Sequence, residues 1–388
     1  MLSRRRIVVL TEDSKPATGG IAEYLHQLAV ALAPSCDVHI VSSVRGAARV
    51  SAPPGVRYEE LAWFRTQLEL PGDRFMPTRR LNTLRWRVGL RATMRRHLRR
   101  FVGPETTIVL GRVSAVTHPW CEACRDLDVP YVAIAYGVEL IDPGTPVIDI
   151  RDAAQWFAIS ADTAGLLAAR GVPAGRIVPL PPAVDPATVA SPSAVVRRRV
   201  RDRVGVGDAP FLLSIGMLRS RKGMDLTIDA FAVLADRHPT LHLVIAGDGP
   251  EAAALRARAG DRVHFAGAID DETRNALLAE CAVFVLANRR LSGDVEGFGI
   301  VFLEAALHAK AVVGGRNGGV PDAVVDGVTG LLVDTSVDAA PLTAALARFL
   351  EDPELARAMG ERGRARACAD FTWPARAATL VEHLGTPR

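Results

Sequence analysis

Two carboxylates with seven residues between them mark the stretch of this chain that is best suited to chemistry, Asp294 to Asp334. They are Glu296 and Glu304, separated by Gly297-Phe298-Gly299-Ile300 and an apolar run. We predict a loop up to Glu296 and a helix from Ile300 to Ala309. The unpaired N–H groups at the start of such a helix attract anions, and glycines let a ligand approach the backbone. A carboxylate at each end suits a ligand with phosphates in the middle and hydroxyl groups at both ends.

This stretch resembles the donor site of retaining glycosyltransferases of family 4, two-domain enzymes of the GT-B type with an E-x7-E pattern. The similarity extends over GFGIVFLEA from Gly297 and GGVPDAVVDGVTGLLVD from Gly318. The letters E-x7-E alone would be weak, because a surface glutamate followed by a helix glutamate gives the same pattern. The resemblance implies a nucleoside diphosphate sugar as ligand. The residues alone imply an anion with hydroxyl groups at a helix start.

A second segment, GMLRSRKG from Gly216 to Gly223, resembles the GRL-x-x-RKG loop of the same family. Lys222 falls on the family's donor-phosphate lysine, where an ammonium would offset the charge that develops on the departing diphosphate. Met217 stands where the family has an arginine, and a thioether cannot replace a guanidinium. Either Arg219 or Arg221 supplies the missing cation, or the protein is slow, altered in its donor or inactive.

The resemblance implies a role for each of these residues. Glu304 would bind the ribose hydroxyls and Glu296 the sugar hydroxyls, while the Gly247 turn and the segment after Phe265 would meet the base. The residues that we predict to hold the donor are Gly19, Gly20, Gly216, Arg221, Lys222, Gly297, Phe298, Gly299, Ile300 and Glu304. The residues that we predict to act in catalysis are Lys222, Glu296 and Tyr136.

We expect no metal and no other cofactor. The resemblance implies that the leaving phosphate can take the acceptor proton, so that a separate protein base is not needed. Asp126-Leu-Asp128 matches the D-x-D letters of metal-dependent glycosyltransferases, but it precedes a predicted strand, and we interpret it as a turn. Cys121 and Cys124 have no second pair that would complete a zinc site, and we interpret them as two thiols on neighbouring helix turns.

Alternating strands and helices must position these residues. Arg6 to Leu10 reads as a buried parallel strand, and Gly19-Gly20 precede an amphipathic helix from Ile21 to Leu32. This opening lacks G-x-G-x-x-G, which disfavours a nicotinamide oxidoreductase. A strand from Tyr131 to Ala135 leads to Tyr136-Gly137, where the family commonly has His-Gly. Tyr136 keeps a hydrogen-bond donor for the sugar but does not titrate near neutral pH as histidine does.

A proline-rich connector follows, and the α/β pattern restarts at Phe211. We therefore predict the α/β fold class, with two Rossmann-like doubly wound domains of the GT-B type that face a central cleft. Residues 1–185 would bind the acceptor and 186–372 the nucleotide sugar. The resemblance implies that a C-terminal helix within 373–388 packs back on the first domain.

Composition excludes several classes of protein. The 388 residues are 49% hydrophobic and 23% charged, as in an ordinary soluble globular protein. Five scattered cysteines disfavour a disulfide scaffold at this size. No apolar run is long enough for a transmembrane helix, and the first one is too short for the core of a signal peptide. We expect a cytoplasmic protein.

Positive charge is concentrated between Arg74 and Pro104, which include ten arginines and no acidic residue. Arg87, Arg91, Arg95 and Arg99 repeat every four residues, which predicts a cationic helix face within 79–100. A solvated face and a peripheral contact with an anionic membrane or acceptor are both open interpretations. Nucleic acid is disfavoured, because no nucleic-acid-binding motif accompanies the charge.

The predicted function is transfer of a hexosyl group, with retention of configuration, from a GDP- or UDP-linked sugar to a hydroxyl acceptor that is lipid-linked or anionic. The first guess is mannosyl transfer from GDP-mannose, because Glu296 to Asp334 is most similar to mannosyltransferases that act on phosphatidylinositol mannosides. Two alternatives stay open. One is a catalytically silent nucleotide-sugar-binding protein, which Met217 and Tyr136 suggest. The other is a nucleotide-sugar 2-epimerase of the same architecture.

Overall fold

The computed structural model describes residues 4–17, 19–61, 91–114, 117–141, 152–189 and 192–384. Contacts between Cα atoms divide the chain into Met1–Pro181 with Trp373–Arg388, here the N-terminal domain, and Pro182–Thr372, here the C-terminal domain. The first domain therefore gives way to the second four residues before the expected boundary at 185, within the proline-rich connector.

The described part of the N-terminal domain contains a parallel sheet of seven strands in the order β3-β2-β1-β4-β5-β6-β7. The strands are β1 Arg5–Thr11, β2 Cys36–Ser42, β3 Val56–Glu60, β4 Thr106–Leu110, β5 Tyr131–Ala135, β6 Gln155–Ala158 and β7 Ile177–Pro179. Their apolar runs are buried on both faces, as is typical of parallel sheets covered by helices. The strand order reverses between β1 and β4, and the crevice beyond the carboxyl ends of these strands is where such sheets bind ligands.

Six helices of the described residues cover this sheet. They are α1 Gly20–Leu32, α2 at 91–98, α3 His118–Asp126, α4 Val138–Ile141, α5 Ala161–Ala169 and α14 Trp373–His383. The C-terminal helix α14 packs against α1. At this contact the ring of Tyr24 lies edge-on to Trp373 at 5.5 Å, and its hydroxyl donates to the carbonyl oxygen of Leu180 at 2.9 Å.

The predicted basic helix is described only from residue 91 onward, and its residues 79–90, with Arg87, lie outside the described residues. Met94 and Leu98 form its buried face. Arg91 is paired with Asp126 through two hydrogen bonds. Arg95 and Arg99 are exposed. The described part of this helix thus has an apolar face and a cationic face. On the cationic face, the charge of Arg91 is neutralised by Asp126.

The described part of the C-terminal domain contains six parallel strands in the order β10-β9-β8-β11-β12-β13. They are β8 Phe211–Ile215, β9 His242–Ala246, β10 Val263–Gly267, β11 Val283–Leu286, β12 Ala311–Gly315 and β13 Leu331–Val333. The helices are α6 Ala194–Val204, α7 Met224–Arg237, α8 Ala252–Arg258, α9 Asp271–Glu280, α10 Ile300–Leu307, α11 Val320–Ala323, α12 Ala340–Glu351 and α13 Pro353–Asp370. The strand order reverses between β8 and β11.

The helix expected from Ile300 to Ala309 is two residues shorter than predicted. It ends at Leu307, because Ala309 has a φ of 53° and lies in the left-handed region. The N–H of Lys310 then donates to the carbonyl of Ala305 at 3.1 Å, which closes the last turn. The two sheets confirm the expected α/β class with two Rossmann-like domains. None of the helices within the described ranges is long and apolar enough to cross a membrane.

Candidate functional site

The loop after β8 fixes the position of Lys222. A 3-10 turn, Ser220–Lys222, ends at Gly223, whose φ of 64° favours glycine. A Cβ atom at Gly223 would lie 1.9 Å from the carbonyl oxygen of Ala287, so the close approach of the β8 and β11 loops also requires glycine. The N–H of Arg289 donates to the carbonyl of Arg221 at 2.9 Å and joins the same two loops. Lys222 is thereby held at the point where the strand order reverses, with 9% of its surface exposed.

Three described side chains converge on one oxygen of Glu296. The Nζ of Lys222 and an Nη of Arg221 each lie 2.5 Å from its Oε2, and Nδ2 of Asn288 donates to the same atom at 2.9 Å. Glu296 is 7% exposed. Its other oxygen, Oε1, accepts no hydrogen bond from any described residue. The carboxylate therefore has one saturated oxygen and one that is available to a ligand.

The charge of Glu296 is stabilised by these partners. Burial alone would raise the pKa of its carboxyl, but the Lys222 ammonium and the Arg221 guanidinium together outweigh burial and hold the pKa below its ordinary value. Arg221 is also 3.1 Å from Asp294, measured from Nε to Oδ1. A buried carboxylate that is both ion-paired and hydrogen-bonded stays ionised.

Neighbouring glycines hold the backbone of Glu296. Gly319 donates its N–H to the Glu296 carbonyl at 2.9 Å. Gly318 has a φ of 55°, and a Cβ atom there would lie 2.2 Å from the same carbonyl oxygen. The carbonyl of Asn288, whose amide binds the Glu296 carboxylate, accepts from Thr335 Oγ1 at 2.7 Å. The segment GGV after β12 therefore packs directly on the predicted catalytic residue.

Helix α10 begins at Ile300, as predicted, so its first backbone N–H groups have no partner within the helix. Gly299 precedes Ile300 at the helix start with a φ of 87°, and a Cβ atom there would lie 2.8 Å from the Phe302 ring. Phe298 is different, because its side chain is buried and its ring lies 5.8 Å from that of Phe371. Phe298 can therefore offer a ligand only its backbone.

Glu304 lies one turn into α10 and is paired differently from Glu296. Its Oε2 lies 3.8 Å from Nε of Arg274, which also binds Asp271 at 3.0 Å. A pocket of about 300 Å³ opens at the end of β10. Its lining includes Arg203, Phe265, Ala266, Ala268, Ile269 and Asp270. This is the segment after Phe265 that was expected to meet the base.

The turns at Gly216 and Gly247 are in contact. A Cβ atom at Gly247, whose φ is 131°, would lie 2.0 Å from the carbonyl oxygen of Gly216. The carbon stem of Lys222 passes Gly216, with Cε 3.6 Å from the place of a Cβ atom. Met217, next to it, is 51% exposed, and its Sδ lies 2.9 Å from Nε of Arg219. Arg219 and Arg221 were the two candidates to replace the arginine that the family has at the position of Met217. Arg219 contacts Met217, and Arg221 binds Glu296.

The N-terminal domain has a polar cluster at the equivalent edge of its own sheet. Tyr136, directly after β5, is buried, and its hydroxyl has no hydrogen-bond partner among the described residues. Its ring lies edge-on to Tyr24 at 5.7 Å. The N–H of Tyr136 donates to Oε1 of Glu139 at 2.5 Å. Within the described part of the chain, Oε2 of Glu139 is buried without a partner.

The rest of this cluster follows β1 and β4. An Nη of Arg112 lies 3.0 Å from Asp13 Oδ2 and 3.5 Å from Glu12 Oε1. Burial raises the pKa of the Glu139 carboxyl, against the opposing effects of backbone N–H groups and of Arg112. Burial likewise raises the pKa of Glu12. Burial therefore outweighs the favourable partners of the carboxyl at both Glu12 and Glu139.

Gly19 and Gly20 stand at the start of α1, in the N-terminal domain. A Cβ atom at either position would meet no atom within 4 Å, so the space over this helix start is open. The structure therefore brings together Gly216, Arg221, Lys222, Glu296 and the Gly297–Ile300 turn within the C-terminal domain. The predicted residues Gly19, Gly20 and Tyr136 belong to the other domain.

Sequence reasoning missed several residues of these sites. Asn288, Arg274, Glu139 and Arg112 all contact or face a predicted residue, but none belongs to the motifs that carried the resemblance. Proximity to a strand end would have been the available signal for Asn288, Glu139 and Arg112, whereas Arg274 lies within α9. Within the described ranges, no group of three or more histidines, cysteines or carboxylates could hold a metal ion. Asp126 ends α3 and Asp128 has a φ of 51°, in agreement with a turn.

Residues 196–366 match the family described as Glycosyl transferases group 1. A GDP-mannose-dependent alpha-(1-6)-phosphatidylinositol monomannoside mannosyltransferase of Mycolicibacterium smegmatis is 41% identical over 224 residues, which are 56% of this chain and 58% of that protein. The protein of the same description from Mycobacterium tuberculosis is 35% identical over 58% of this chain and 60% of its own length. The chain thus spans less than two thirds of the length of these curated relatives.

Solved structures are similar over nearly the whole chain. Anabaena HepE in complex with UDP and glucose has a TM-score of 0.76 at 19% identity, over 98% of this chain and 99% of that one. Sucrose-phosphate synthase from Thermosynechococcus elongatus has a TM-score of 0.74 at 22% identity, over 98% of both chains. At such identities the similarity defines the fold.

Proposed function

We propose that this chain, whose residues 196–366 match the family of group 1 glycosyl transferases, transfers a hexosyl group from a nucleoside diphosphate sugar to a hydroxyl acceptor. One observation carries the proposal. Lys222, Arg221 and Asn288 converge on Glu296 beside the bare N–H groups at the start of α10. This arrangement offers a cation and amides to a diphosphate and a carboxylate oxygen to a sugar hydroxyl.

Each group has a step to perform. The Lys222 ammonium and the Gly297–Ile300 amides stabilise the diphosphate, and most strongly when it departs with an added negative charge. Oε1 of Glu296 accepts a hydrogen bond from a sugar hydroxyl and fixes the ring. Glu304 accepts from the ribose, and Tyr136 donates to the sugar. The proposed reaction retains the configuration of the sugar and uses no metal. It needs no separate protein base, because the leaving phosphate takes the acceptor proton.

The sugar and acceptor follow from the relatives. Mannosyl transfer from GDP-mannose is the first choice, because the mycobacterial relatives are described as using that donor. Their acceptor is a phosphatidylinositol mannoside, which supports a lipid-linked or anionic acceptor here. The exposed Arg95, Arg96 and Arg99 of the N-terminal domain suit such an acceptor or an anionic membrane surface. The protein would then act in the cytoplasm, at the inner face of the membrane.

A second candidate is a nucleotide-sugar-binding protein without turnover. The observation that favours it is Met217, an exposed thioether at a position where the family has an arginine. The nearby Arg219 contacts Met217, and Arg221 forms an ion pair with Glu296, so both arginines already have partners at this site. Such a protein would bind the sugar donor and release no product.

The test is a thermal-shift screen without metal against UDP, GDP, ADP, TDP, NAD and their sugar conjugates. A ligand at 100 times its Kd stabilises the native state by about 2.7 kcal/mol, which raises the melting temperature. We expect a shift with GDP and GDP-mannose that is lost in Glu304→Ala. The matched control is Glu351→Ala, another ion-paired helix glutamate of the same domain, which should keep the shift.

Transfer is then measured as nucleoside diphosphate release with a phosphatidylinositol mannoside acceptor. Release together with a mannosylated product supports the enzyme. A shift without release, over all acceptors and sugars that bind, favours the silent protein. No shift with any nucleoside diphosphate contradicts both.

A further inference from the structure

We propose that Glu296 is the internal counter-ion of Lys222 in the ligand-free protein, and that Arg221 is the positioning residue that lets Lys222 exchange this carboxylate for the diphosphate of the sugar donor. The inference rests on the proposed function, since it assigns the order in which that site's charges pair. It adds a role for Arg221 and a second role for Glu296.

The starting point is that the cation and the anion of the site are bound to each other. Nζ of Lys222 lies 2.5 Å from Oε2 of Glu296, and no other described acid lies within ion-pair distance of it. Both residues are buried. A diphosphate must therefore compete with a carboxylate that already occupies the ammonium. A buried ion pair of this kind is costly to break if either charge is left alone.

Arg221 removes this obstacle. Its guanidinium lies 2.5 Å from the same Oε2 and 3.1 Å from Asp294, so it is fixed between two acids. The planar arginine fork holds its geometry, while the lysine ammonium moves on a flexible stem. When Lys222 turns to the diphosphate, Glu296 keeps Arg221 and the Asn288 amide. The buried negative charge of Glu296 therefore keeps a cation and a hydrogen-bond donor throughout the exchange.

The surroundings restrict the movement to the lysine side chain. The backbone of the loop is fixed, because Gly223 packs on the Ala287 carbonyl and the Arg221 carbonyl accepts from Arg289. The stem of Lys222 passes the bare Gly216, where a side chain would otherwise limit its rotation. Exchange of partner therefore needs rotation about side-chain bonds only.

This view predicts opposite effects of two substitutions on the binding of the free nucleoside diphosphate. Glu296→Gln removes the competing charge and keeps an oxygen for Asn288, so the Kd of GDP (or of the diphosphate that binds the wild type) should fall roughly tenfold, or about 1.4 kcal/mol. Arg221→Met leaves Lys222 as the last cation on Glu296, so the Kd should rise by roughly tenfold. Binding is measured by titration calorimetry, and the nucleoside without phosphates should bind all forms with similar affinity.

Asp225→Asn is the matched control for the change in net charge. Asp225 binds Arg289 at 2.9 Å in the neighbouring loop, and its removal adds the same charge without touching Lys222. We expect less than a twofold change. An equal gain in Asp225→Asn and Glu296→Gln would mean a general electrostatic effect and would overturn the exchange.

The outcomes separate the two proposals. If the wild type binds no nucleoside diphosphate, the proposed function fails. If it binds one and Glu296→Gln binds it equally or more weakly, the exchange alone is wrong. If Glu296→Gln does not fold, Arg221→Met decides, because unchanged or tighter binding in that variant contradicts the role of Arg221.

Discussion

Glu139 and Glu296 occupy comparable places in the two domains and are paired in opposite ways. Glu296 lies in the segment after β11, at the point where the strand order reverses, and Glu139 follows β5, one strand away from that point in its own sheet. They are 7% and 4% exposed. Glu296 has two cations and an amide on one oxygen. Glu139 has a backbone N–H on one oxygen and, among the described residues, nothing on the other. The cation whose charge acts on it, Arg112, is bound to Asp13.

The pKa of the two carboxyls moves in opposite directions for this reason. Burial raises the pKa of Glu139, and two cations overcome the same effect at Glu296. Both carboxyls are buried, so the difference in their partners accounts for the opposite directions of the pKa. The C-terminal site is arranged to hold a negative charge on Glu296 before any ligand binds. In the N-terminal cluster burial raises the pKa of Glu139, and the buried Oε2 of Glu139 and hydroxyl of Tyr136 have no hydrogen-bond partner among the described residues.

The largest expected effect is at the cation of the C-terminal site. Lys222→Met should lower the rate of sugar transfer by roughly 10²–10³-fold, because the diphosphate loses the charge that stabilises its departure. The protein should remain folded, since Arg221 and Asn288 still bind Glu296. The measurement is kcat from nucleoside diphosphate release. Lys310→Met, which removes the other lysine of this domain, should have no such effect. A loss below threefold in Lys222→Met would contradict its role.

A smaller effect concerns the pH dependence of stability, and it should differ in sign between the two carboxylates. Because the folded-state pKa of Glu139 is raised, the stability that it contributes is fully present below the ordinary glutamate pKa of about 4.3 and is lost as the pH rises through the raised value. Glu139→Gln should abolish this loss, which is about 1.4 kcal/mol for each tenfold gain in the proton affinity of the carboxyl on folding. The lowered pKa of Glu296 acts in the other direction, and its contribution is lost as the pH falls through the folded-state value.

Tryptophan fluorescence isolates the first of these effects. The five tryptophans are Trp63, Trp86, Trp120, Trp156 and Trp373, and all belong to the N-terminal domain. Urea unfolding followed by fluorescence at pH 5 and pH 8 therefore reports on the N-terminal domain. The difference between the wild type and Glu139→Gln isolates Glu139, because Glu12, whose pKa is also raised, contributes equally to both. Glu122→Gln, in the neighbouring α3, is the control and should behave as the wild type. Equal pH dependence in Glu139→Gln and the wild type would show that Glu139 is not the group that titrates.

The smallest expected effect is at the Tyr136 hydroxyl. Tyr136→Phe removes a buried polar group that is without a partner among the described residues, and should stabilise the N-terminal domain by about 1 kcal/mol. The proposed contact with the sugar predicts that the same variant loses roughly tenfold in transfer rate. Tyr24→Phe is the control, because its hydroxyl donates to Leu180, so this variant should be less stable. A destabilised Tyr136→Phe would mean that the hydroxyl has a structural partner.

The sequence allowed the C-terminal site to be predicted in more detail than the N-terminal one. Glu296 and Lys222 lie in motifs whose spacing is local, and the sheet brings the two motifs together at the ends of β8 and β11. The sheet and helix pattern followed from buried apolar runs in both domains. The catalytic and binding roles of Glu296 and Lys222 stay predictions. The facing arrangement of the two domains and the absence of a metal also stay predictions.

The rest depends on contacts between residues far apart in the chain. The bonds from Arg221 and Asn288 to Glu296 join three separate loops, and nothing in the sequence says which of the two nearby acids Arg221 would bind. The state of Glu139 likewise depends on contacts that the sequence does not show, namely a backbone N–H on one carboxylate oxygen and, among the described residues, no partner on the other. The early end of α10 came from the left-handed Ala309, where alanine gave no signal of a turn.

The packing of α14 on α1 has a consequence for biosynthesis. The N-terminal domain is made first by the ribosome, but the helix that covers Tyr24 is translated only after residues 182–372, which take roughly 10 to 40 s at about 5–20 residues per second. The C-terminal domain is continuous in sequence, so its folding does not have to wait for the C-terminal helix α14. The nascent N-terminal domain meanwhile exposes the apolar side of α1, so the domain that emerges first is finished last. Chaperones that bind apolar surfaces would have this interval in which to act.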